Sequence, residues 1–263
     1  MEGIRVVLLA AGVGSRLVPL TNSWPKCLMP IHGQPLLEYW LSTLHSIGIK
    51  HILINTHHHA EIVNSFLARK RFVGWIKASH EIDLLGTAGT LIQNAEYLSG
   101  YRTILIHADN WCQCNFSQFV KYHIDGRPTN SVMTMMTFRT SSPHSCGIVE
   151  LDEFGVVHSF HEKVTNPPSN LANGAVYMLE PSVIDWILER KNLRDFSTDV
   201  VPQFIGKIAT WENEGTHRDI GTLTSLLAAQ SDTAPTRYWD NPDSWEIEFR
   251  SNPIHQQLSA INV

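Results

Sequence analysis

The chain has 263 residues, of which 43% are hydrophobic and 17% are charged, an ordinary composition for a globular protein. This length fits one large α/β domain, or one domain with a small appendage, and is enough to bury a sizeable core. The formal net charge is −5. It argues against a nucleic-acid partner, which would require a basic surface.

The sequence also argues against a membrane or secreted protein. No apolar run reaches the roughly 18 residues of a membrane span. Arg5 interrupts the short apolar stretch at the N-terminus, and no small-residue cleavage site follows it. Four cysteines in a chain of this size do not resemble a disulfide framework. We therefore predict a reducing, cytoplasmic location.

Strands and helices alternate in the first half of the chain. The predicted strands are Ile4–Ala10, His51–Thr56, Trp75–Ser79 and Thr103–Ala108, and the predicted helices are Pro35–Ile47, Ala60–Ala68 and Thr87–Tyr97. This alternation predicts an α/β fold, with βαβ units forming a Rossmann-like, mostly parallel sheet flanked by helices.

Shorter strands follow in the second half. The predicted strands are Val132–Phe138, Gly147–Leu151, Val156–Phe160 and Ala175–Leu179, and the predicted helices are Pro181–Arg190, Thr198–Ile205 and Leu223–Gln230. We expect a smaller, β-rich, lid-like part built over the sheet. Residues 231–263 are polar and proline-containing, with Trp239 and Trp245 as large anchors. The predicted organisation is thus a catalytic domain over residues 1–230 and a packed or partner-binding C-terminal tail over residues 231–263.

A glycine turn follows the first strand. A dinucleotide-binding fingerprint would need a third glycine, but Leu17 follows Gly12 and Gly14 at that position. The second strand also ends without the acidic residue that this fingerprint requires. A P-loop would need a lysine directly after its last glycine, which is absent. Both of these phosphate-binding motifs are therefore excluded.

The same segment can nevertheless bind phosphate in another way. Backbone amides near Ala11–Ser15 can donate to phosphate oxygens. Arg16 offers a planar fork for two oxygens, and Lys26 a movable positive charge. A long, proline-stiffened loop with few other charges is typical of a functional loop, although a solvated surface loop is the alternative.

The motif A-A-G-V-G-S-R-L-V-P-L-T-x-x-x-P-K-x-L-x-P, residues 10–30, resembles the signature of the sugar-1-phosphate nucleotidyltransferases. In that family the loop surrounds a nucleoside triphosphate. The resemblance implies that Arg16 faces the departing pyrophosphate and that Lys26 faces the phosphates at the reaction centre. It also implies nucleotide contacts from Ala10, Ala11, Gly12, Gly14 and Ser15.

Nucleotidyl transfer between two polyanions needs cations more than it needs a general base. A sugar 1-phosphate is already largely dianionic at pH 7, because its second pKa is about 6. Mg²⁺ and carboxylates to bind it are therefore expected. Asp109 ends a buried strand, and Asp219 lies in H-R-D-I-G-T. Taken singly, either could cap a helix; the resemblance implies that both bind Mg²⁺, with Arg16, Lys26 and Asp109 as the catalytic residues.

The stretch His80–Thr90 resembles the family's base-recognition segment. Contacts to the nucleotide are implied for Glu81, Gly86 and Thr87, and the Glu81 carboxylate could accept from guanine N–H groups. The form L-G-T-A-G is similar to that of mannose-1-phosphate guanylyltransferase-like members. GTP is therefore the expected triphosphate, and a uridylyl- or thymidylyltransferase is the alternative.

Three short segments resemble the family's sugar-phosphate site. Gly147 lies in C-G-I-V-E-L-D and would let the sugar approach closely. Glu162 and Lys163 lie in F-H-E-K and would bind the sugar hydroxyls and phosphate, although a surface ion pair is the alternative. Asn173 and Gly174 lie in L-A-N-G-A-V-Y. Mannose 1-phosphate or a related sugar phosphate is the expected acceptor.

Other patterns carry less chemistry. Three consecutive histidines, His57 to His59, would converge poorly on one metal ion if helical, so we predict a polar turn beside the active edge. A non-catalytic, nucleotide-sugar-sensing regulatory subunit is an alternative to the enzyme. It predicts loss of Arg16, Lys26 or a metal-binding aspartate, and this chain keeps all of them. A homo-oligomer is possible, and the tail has no counterpart in the resemblance.

Overall fold

A nine-stranded sheet forms the centre of the structure, a computed structural model that describes residues 3–261. The strands are β1 (Ile4–Leu9), β2 (Pro30–Ile31), β3 (Gln34–Pro35), β4 (Ile52–Thr56), β5 (Ile76–His80), β6 (Arg102–His107), β7 (Asn110–Cys112), β8 (Met133–Arg139), β9 (Gly147–Leu151), β10 (Val157–Glu162), β11 (Leu171–Leu179), β12 (Ile208–Glu212) and β13 (His217–Asp219). The α-helices are α1 (Leu36–Ser46), α2 (Ala60–Leu67), α3 (Thr87–Gln93), α4 (Ala95–Leu98), α5 (Phe116–Lys121), α6 (Pro181–Leu188), α7 (Leu223–Ser231), α8 (Ser244–Arg250) and α9 (Pro253–Ile261). Within residues 3–261, no helix is long and apolar enough to cross a bilayer.

The first half of the chain forms the parallel part of the sheet. Strand β1 lies between β6 and β4, and β5 follows β4, all in parallel. At the carboxyl ends, Leu9 of β1 is paired with Asn55 of β4 and with His107 of β6. The predicted α/β fold is therefore confirmed, and the loops after these strands meet at one edge.

Both faces of the parallel strands are buried. Val6 and Leu8 of β1 belong to one apolar cluster, which includes residues of α1 and α2. Val7 faces the opposite cluster, which includes residues of α3 and α6. Because side chains alternate along a strand, a continuous apolar run such as β1 buries both of its faces under helices.

The β-rich second half extends the same sheet. Strand β11 pairs antiparallel with β6, and β8 and β9 pair with β11. Most of β11 is buried, so it needs partners on both edges and cover on both faces. The predicted short strands are present, but the expectation that they form a lid over the sheet is wrong, because they extend the sheet itself.

Two predicted helices differ from those observed. The helix expected over 87–97 breaks at Asn94, whose side-chain amide donates to the Thr90 carbonyl and ends α3. The helix expected over 198–205 is instead a π-helical turn, Phe196–Val200, followed by a 3-10 turn, Val201–Phe204. Pro202 has no N–H to donate, which prevents a continuous α-helix there.

The C-terminal segment is helical and packed on the sheet's helices. The Asp243 carboxylate caps α8 by accepting from the Glu246 amide. Phe249, Ile254 and Leu258 are buried in the same cluster as α1 and α2. Three further apolar side chains therefore pack beside the two tryptophans predicted as anchors. The domain boundary at residue 230 stays a prediction.

Candidate active site

A cavity of about 210 Å³ opens where β1, β4, β5 and β6 end. Eight of the residues predicted to bind nucleotide line it: Ala10, Ala11, Gly12, Lys26, Glu81, Gly86, Thr87 and Asp109. Prediction from sequence missed six further lining residues: Leu9, Cys27, Asn55, Leu84, Thr90 and His107. Burial raises the pKa of the Cys27 thiol to about 12, so this cysteine is not a nucleophile at neutral pH.

The glycine loop turns tightly against the lysine that follows it. Gly14 has φ +67°, and a Cβ there would lie 2.8 Å from Thr21 Cγ2 and 3.2 Å from Lys26 Cβ. The Thr21 hydroxyl donates to the Gly14 carbonyl at 2.9 Å. Only glycine combines this positive φ with so close an approach. Gly14 therefore acts by shaping the loop, whereas Ser15 and Arg16 begin the turn beyond it.

The three consecutive histidines support this loop. The Nε2 atoms of His58 and His59 both lie 3.0 Å from the Thr21 carbonyl oxygen, to which they donate. His57 Nδ1 donates to the Glu81 carbonyl at 2.9 Å. Within the described residues, no group of three His, Cys, Asp or Glu side chains is arranged to bind a metal ion. The histidines lie in a polar turn beside the site, as predicted.

Two cations and two carboxylates meet beside the cavity. Lys26 Nζ lies 2.5 Å from Asp109 Oδ2 and 3.1 Å from Asp219 Oδ1. Arg16 Nη2 lies 3.5 Å from Asp219 Oδ2. Lys26 is only 6% exposed, whereas the side chains of Arg16 and Asp219 are more than half exposed. The structure thus brings together all four charged residues predicted for the reaction centre.

These charges shift each other's protonation. Burial alone would lower the pKa of Lys26, but the charges of Asp109 and Asp219 outweigh it and raise that pKa. Burial alone would raise the pKa of Asp109, but Lys26 and then His107 outweigh it and lower that pKa. Lys26 is therefore cationic and Asp109 anionic at neutral pH.

A short antiparallel pair brings the two aspartates together. Strand β13 pairs with β7, so that Asp219 lies opposite Asn110, the residue after Asp109. The Ile220 amide donates to the Asp109 carbonyl at 3.2 Å. Residues more than 100 positions apart in the chain therefore become neighbours through this two-stranded sheet.

Gly221 is a site residue that the sequence reading missed. Its amide donates to Asp219 Oδ1 at 2.7 Å. A Cβ at this position would lie 2.6 Å from Arg16 Nη2 and 3.0 Å from Lys26 Nζ. The glycine two residues after Asp219 in H-R-D-I-G-T was the available signal.

We expect Gly221→Ala to lower kcat/KM about tenfold, because the added methyl displaces the side chains of Arg16 and Lys26. Steady-state kinetics on the folded variant would measure this. Gly33→Ala is the control for a loss of stability without crowding of the site: its φ of +75° strains an alanine there, but nothing lies within 4 Å of its Cβ position. Equal kcat/KM values of Gly221→Ala and the wild type would contradict this expectation, because they would mean that the added methyl does not disturb Arg16 and Lys26.

The carboxylate pair fits a magnesium site completed by substrate. Mg²⁺ prefers oxygen ligands and is commonly bound by one or two carboxylates together with phosphates and water. Asp109 and Asp219 converge on one point, the ammonium of Lys26, which shows that a single cation can contact both. The donor set therefore suits a divalent cation that is shared with a polyphosphate.

The Glu81 carboxylate is buried, and most of its capacity to accept hydrogen bonds is already used. It is 1% exposed, and its Oε1 accepts from Asn55 Nδ2 at 2.9 Å and from the Thr90 hydroxyl at 2.6 Å. Its Oε2 accepts from the Leu85 amide at 3.2 Å. Asn55 Oδ1 in turn accepts from the Ala10 amide at 2.6 Å. The network links the glycine loop to the base-recognition segment and leaves acceptor capacity on Oε2 alone.

The second half of the chain supports the start of α3. The Phe196 amide donates to the Thr87 hydroxyl at 2.6 Å, and the Ala88 amide donates to the Arg194 carbonyl at 2.9 Å. Gly86 precedes the helix and lies against the backbone of Arg194. Thr87 is thereby fixed at the cavity wall by a contact that the motif alone did not indicate.

The predicted sugar-side residues lie on the antiparallel part of the sheet. Gly147 of β9 is paired with Glu162 of β10. Lys163 Nζ lies 3.1 Å from Glu162 Oε1, and the lysine side chain is 65% exposed. The Lys163 ammonium is therefore accessible from solvent. The Glu162 carboxylate lies against Gly147, where an added Cβ would be 2.6 Å from its Oε2.

Asn173 and Gly174 are connected to the aspartate pair. The Gly174 carbonyl accepts from Asn110 Nδ2 at 3.0 Å and from His217 Nε2 at 2.9 Å. Burial lowers the pKa of His217 to about 4, so this histidine is neutral and donates through Nε2–H. Asn173 Oδ1 accepts from the Ala175 amide at 2.9 Å and shapes the bulge in β11. The predicted sugar segment is thus hydrogen-bonded to the strands that carry Asp109 and Asp219.

The fold is that of an α/β protein whose charged cluster lies at the carboxyl edge of its sheet, the edge at which such proteins bind their ligands. More particularly, the chain belongs to the nucleotidyl transferase family, whose model matches residues 5–235.

Curated relatives agree with this family, and a solved structure shares the fold. The chain is 27% identical over 234 residues to mannose-1-phosphate guanylyltransferase from Mycobacterium tuberculosis, covering 87% of this chain and 64% of the relative. It is 34% identical over 192 residues to the catalytic subunit beta of mannose-1-phosphate guanylyltransferase from Drosophila melanogaster, covering 71% and 51%. The chain thus spans about half to two thirds of these relatives. A solved Bacillus anthracis structure, assigned as a glucose-1-phosphate thymidylyltransferase, shares the fold with a TM-score of 0.78 at 22% identity, covering 89% and 98%.

Proposed function

We propose that the protein transfers a nucleotidyl group from GTP to mannose 1-phosphate or a close relative, releasing pyrophosphate, with Mg²⁺ as cofactor. The observation that carries this proposal is the convergence of Lys26 and Arg16 on Asp109 and Asp219 beside the cavity. The regulatory-subunit alternative predicts a broken cluster, and the cluster is intact.

The reaction is an attack by a phosphate oxygen of the sugar 1-phosphate on the α-phosphorus of the triphosphate. A new P–O bond forms there, and the bond from the α-phosphorus to the oxygen bridging to the β-phosphorus breaks. Pyrophosphate leaves with that bonding pair. The attacking phosphate is already largely dianionic, so no side chain needs to remove a proton.

The chain's cations would stabilise the charge that develops in this step. The buried ammonium of Lys26 would face the α-phosphate, and its position in the cavity lining beside Asp109 supports this role. The more exposed Arg16 offers two donors to the departing pyrophosphate. Asp109 and Asp219 would bind Mg²⁺, which when bound neutralises phosphate charge and orients the phosphates.

Guanine is the proposed base. Glu81 Oε2 retains capacity for one guanine N–H donor, while its Oε1 already accepts two bonds. The two mannose-1-phosphate guanylyltransferases among the relatives support the same choice of base and sugar. A single contact to guanine makes the discrimination against other bases moderate rather than absolute.

A substrate matrix tests this proposal. Pyrophosphate release should be measured for GTP, ATP, UTP and dTTP, each against mannose 1-phosphate, glucose 1-phosphate and galactose 1-phosphate with Mg²⁺. We expect the highest kcat/KM for GTP with mannose 1-phosphate. A clear preference for UTP or dTTP would overturn the base assignment, and no release with any pair would overturn the function.

Replacing Lys163 with alanine should raise the KM for the sugar phosphate about tenfold, as expected for the loss of one charge-assisted contact of roughly 1.5 kcal/mol. The KM for the triphosphate should change much less, because Lys163 directly follows β10 in the antiparallel part of the sheet and does not line the cavity. Lys50→Ala, which removes an exposed lysine from the loop before β4, is the matched control. Equal effects on both KM values would contradict the placement of Lys163 at the sugar.

A further inference from the structure

The C-terminal segment contacts the loop that carries Lys26. The family match ends at residue 235, so residues 236–261 have no role assigned by it. Helix α8 in this segment packs on Trp24, two positions before Lys26. Trp24 lies in the variable part of the signature loop and is 8% exposed. A segment outside the family match therefore covers a residue of the catalytic loop.

Three aromatic rings form this contact, which we name the Trp24 stack: Trp24, Trp245 and Phe249. The ring of Phe249 lies 5.6 Å from that of Trp24 at an interplanar angle of 23°, and 5.2 Å from that of Trp245 at 21°. Trp24 and Trp245 are 6.4 Å apart. Stacked aromatic pairs at such distances are stabilising beyond their buried area.

The indole of Trp24 also spans the turn of Lys26. Its Nε1–H donates to the Leu28 carbonyl at 2.8 Å. Within this turn the Leu28 amide donates to the Pro25 carbonyl, and directly after it the Met29 amide donates to the Lys26 carbonyl. A shift of the indole therefore moves the backbone from which the Lys26 side chain extends.

Ion pairs fix α8 relative to the body of the protein. Arg69 follows α2, and its guanidinium lies 2.8 Å from Asp243 at the start of α8 and 2.8 Å from Glu38 of α1. The same guanidinium lies over the Trp245 ring at 5.2 Å. The arginine side chain is 2% exposed. Helix α8, which carries two rings of the Trp24 stack, is thus attached through Arg69 to α1 and to the end of α2.

We infer that residues 236–261 position Lys26 for nucleotidyl transfer through the Trp24 stack, an inference that rests on the proposed function. Trp24, Trp245 and Phe249 are positioning residues, since they contact Lys26 only through the turn and not the cavity. Without the two rings of α8, the indole would lose its outer support and the ammonium would leave its place between Asp109 and Asp219.

The test compares Trp245→Ala and Phe249→Leu with Trp239→Ala, at a temperature at which all three are folded. Trp239 belongs to the same segment but packs on Phe72 and His45, away from Trp24. We expect kcat to fall about tenfold in the first two variants, since small displacements of a catalytic group are costly, and less than about twofold in the third. Amide hydrogen exchange over residues 23–31 should accelerate in the first two variants only.

The outcomes are distinguishable. Unchanged exchange over residues 23–31 in Trp245→Ala and Phe249→Leu, or an equal fall of kcat in Trp239→Ala, would overturn the inference while leaving the function intact. An inactive wild type would overturn the proposed function instead, and the exchange measurement would still report whether the segment orders the loop. If Trp245→Ala does not fold, Phe249→Leu carries the test, because leucine keeps an apolar side chain at this position while it removes the aromatic ring.

Discussion

An Asp109→Asn variant is expected to lose about 10³-fold of its Mg²⁺-dependent pyrophosphate release, with little change in folding. The amide keeps the shape of the side chain but removes the negative charge that faces Lys26 and that would bind the metal ion. Asp219 remains as a partner for Lys26, so the buried ammonium is not left unpaired. Pyrophosphate release and thermal unfolding, measured on the same preparation, give both halves of this result.

Asp185→Asn is the matched control, because Asp185 is an exposed aspartate of α6 outside the charged cluster. It should retain wild-type turnover. Undiminished turnover of Asp109→Asn would contradict the metal assignment. A variant that is inactive because it is unfolded would be recognised from its melting temperature, and Asp219→Asn would then test the same carboxylate pair from its exposed side.

Replacing Lys26 with methionine is expected to lower kcat by about 10³-fold, comparable with the loss of a cation that stabilises a phosphoryl-transfer transition state. Methionine preserves most of the buried apolar stem and removes only the ammonium. The exposed Lys50→Met provides a control for the loss of one positive charge. Wild-type kcat in Lys26→Met would contradict its place at the reaction centre.

The same variant gives a pH-dependent stability difference. The pKa of Lys26 is raised above its ordinary 10.5, so its contribution is present below that pH and is lost as the pH rises through the raised value. The pKa of Asp109 is lowered below 3.8, so its contribution is present above that pH and is lost as the pH falls through the lowered value. Wild type and Lys26→Met should therefore differ most in free energy of unfolding near pH 7 and least at the acid end. Urea unfolding at pH 7 and near pH 3 measures this, and equal differences would contradict the ion pairing.

Much of the fold could be predicted from local sequence because apolar runs and turn residues agree with the final structure. The run from Ile4 predicts a strand buried on both faces, and Gly48 ends the following helix with φ +79°. The placement of β11 could not be predicted, because its pairing with β6 joins residues about 70 positions apart. Its start at Leu171 could not be predicted either, because Ala175 adopts φ +51° inside the strand and interrupts the regular extended backbone.

The sequence of the C-terminal segment does contain a helix signal, although we predicted a tail there. Asp243 is a preferred N-cap residue with Glu246 three positions later, and Trp245 and Phe249 are four apart on one face. Prolines in the same stretch favoured an extended tail instead. Pro253, however, lies at the first position of α9, where the missing N–H costs nothing.

Arg16 and Lys26 were predicted because the signature fixes their spacing, and Asp109 and Asp219 because the end of a buried strand and the segment H-R-D-I-G-T match the same family. The residues that support them were not, because their roles depend on contacts across the fold. Asn55 lies in no motif, and the motifs that contain Thr90 and His217 assign these two residues no role. They nevertheless orient Glu81 and Gly174 through hydrogen bonds. Such partners become visible only when distant strands are placed side by side.

We propose that the cluster of Lys26, Arg16, Asp109 and Asp219 promotes the release of pyrophosphate from a triphosphate. ³¹P nuclear magnetic resonance of the wild-type protein with GTP, mannose 1-phosphate and Mg²⁺ tests it most directly. We predict that pyrophosphate and the two coupled signals of a sugar nucleoside diphosphate appear in equal molar amounts while both substrates are consumed. Release of orthophosphate without a sugar nucleotide, or unchanged spectra, would contradict nucleotidyl transfer.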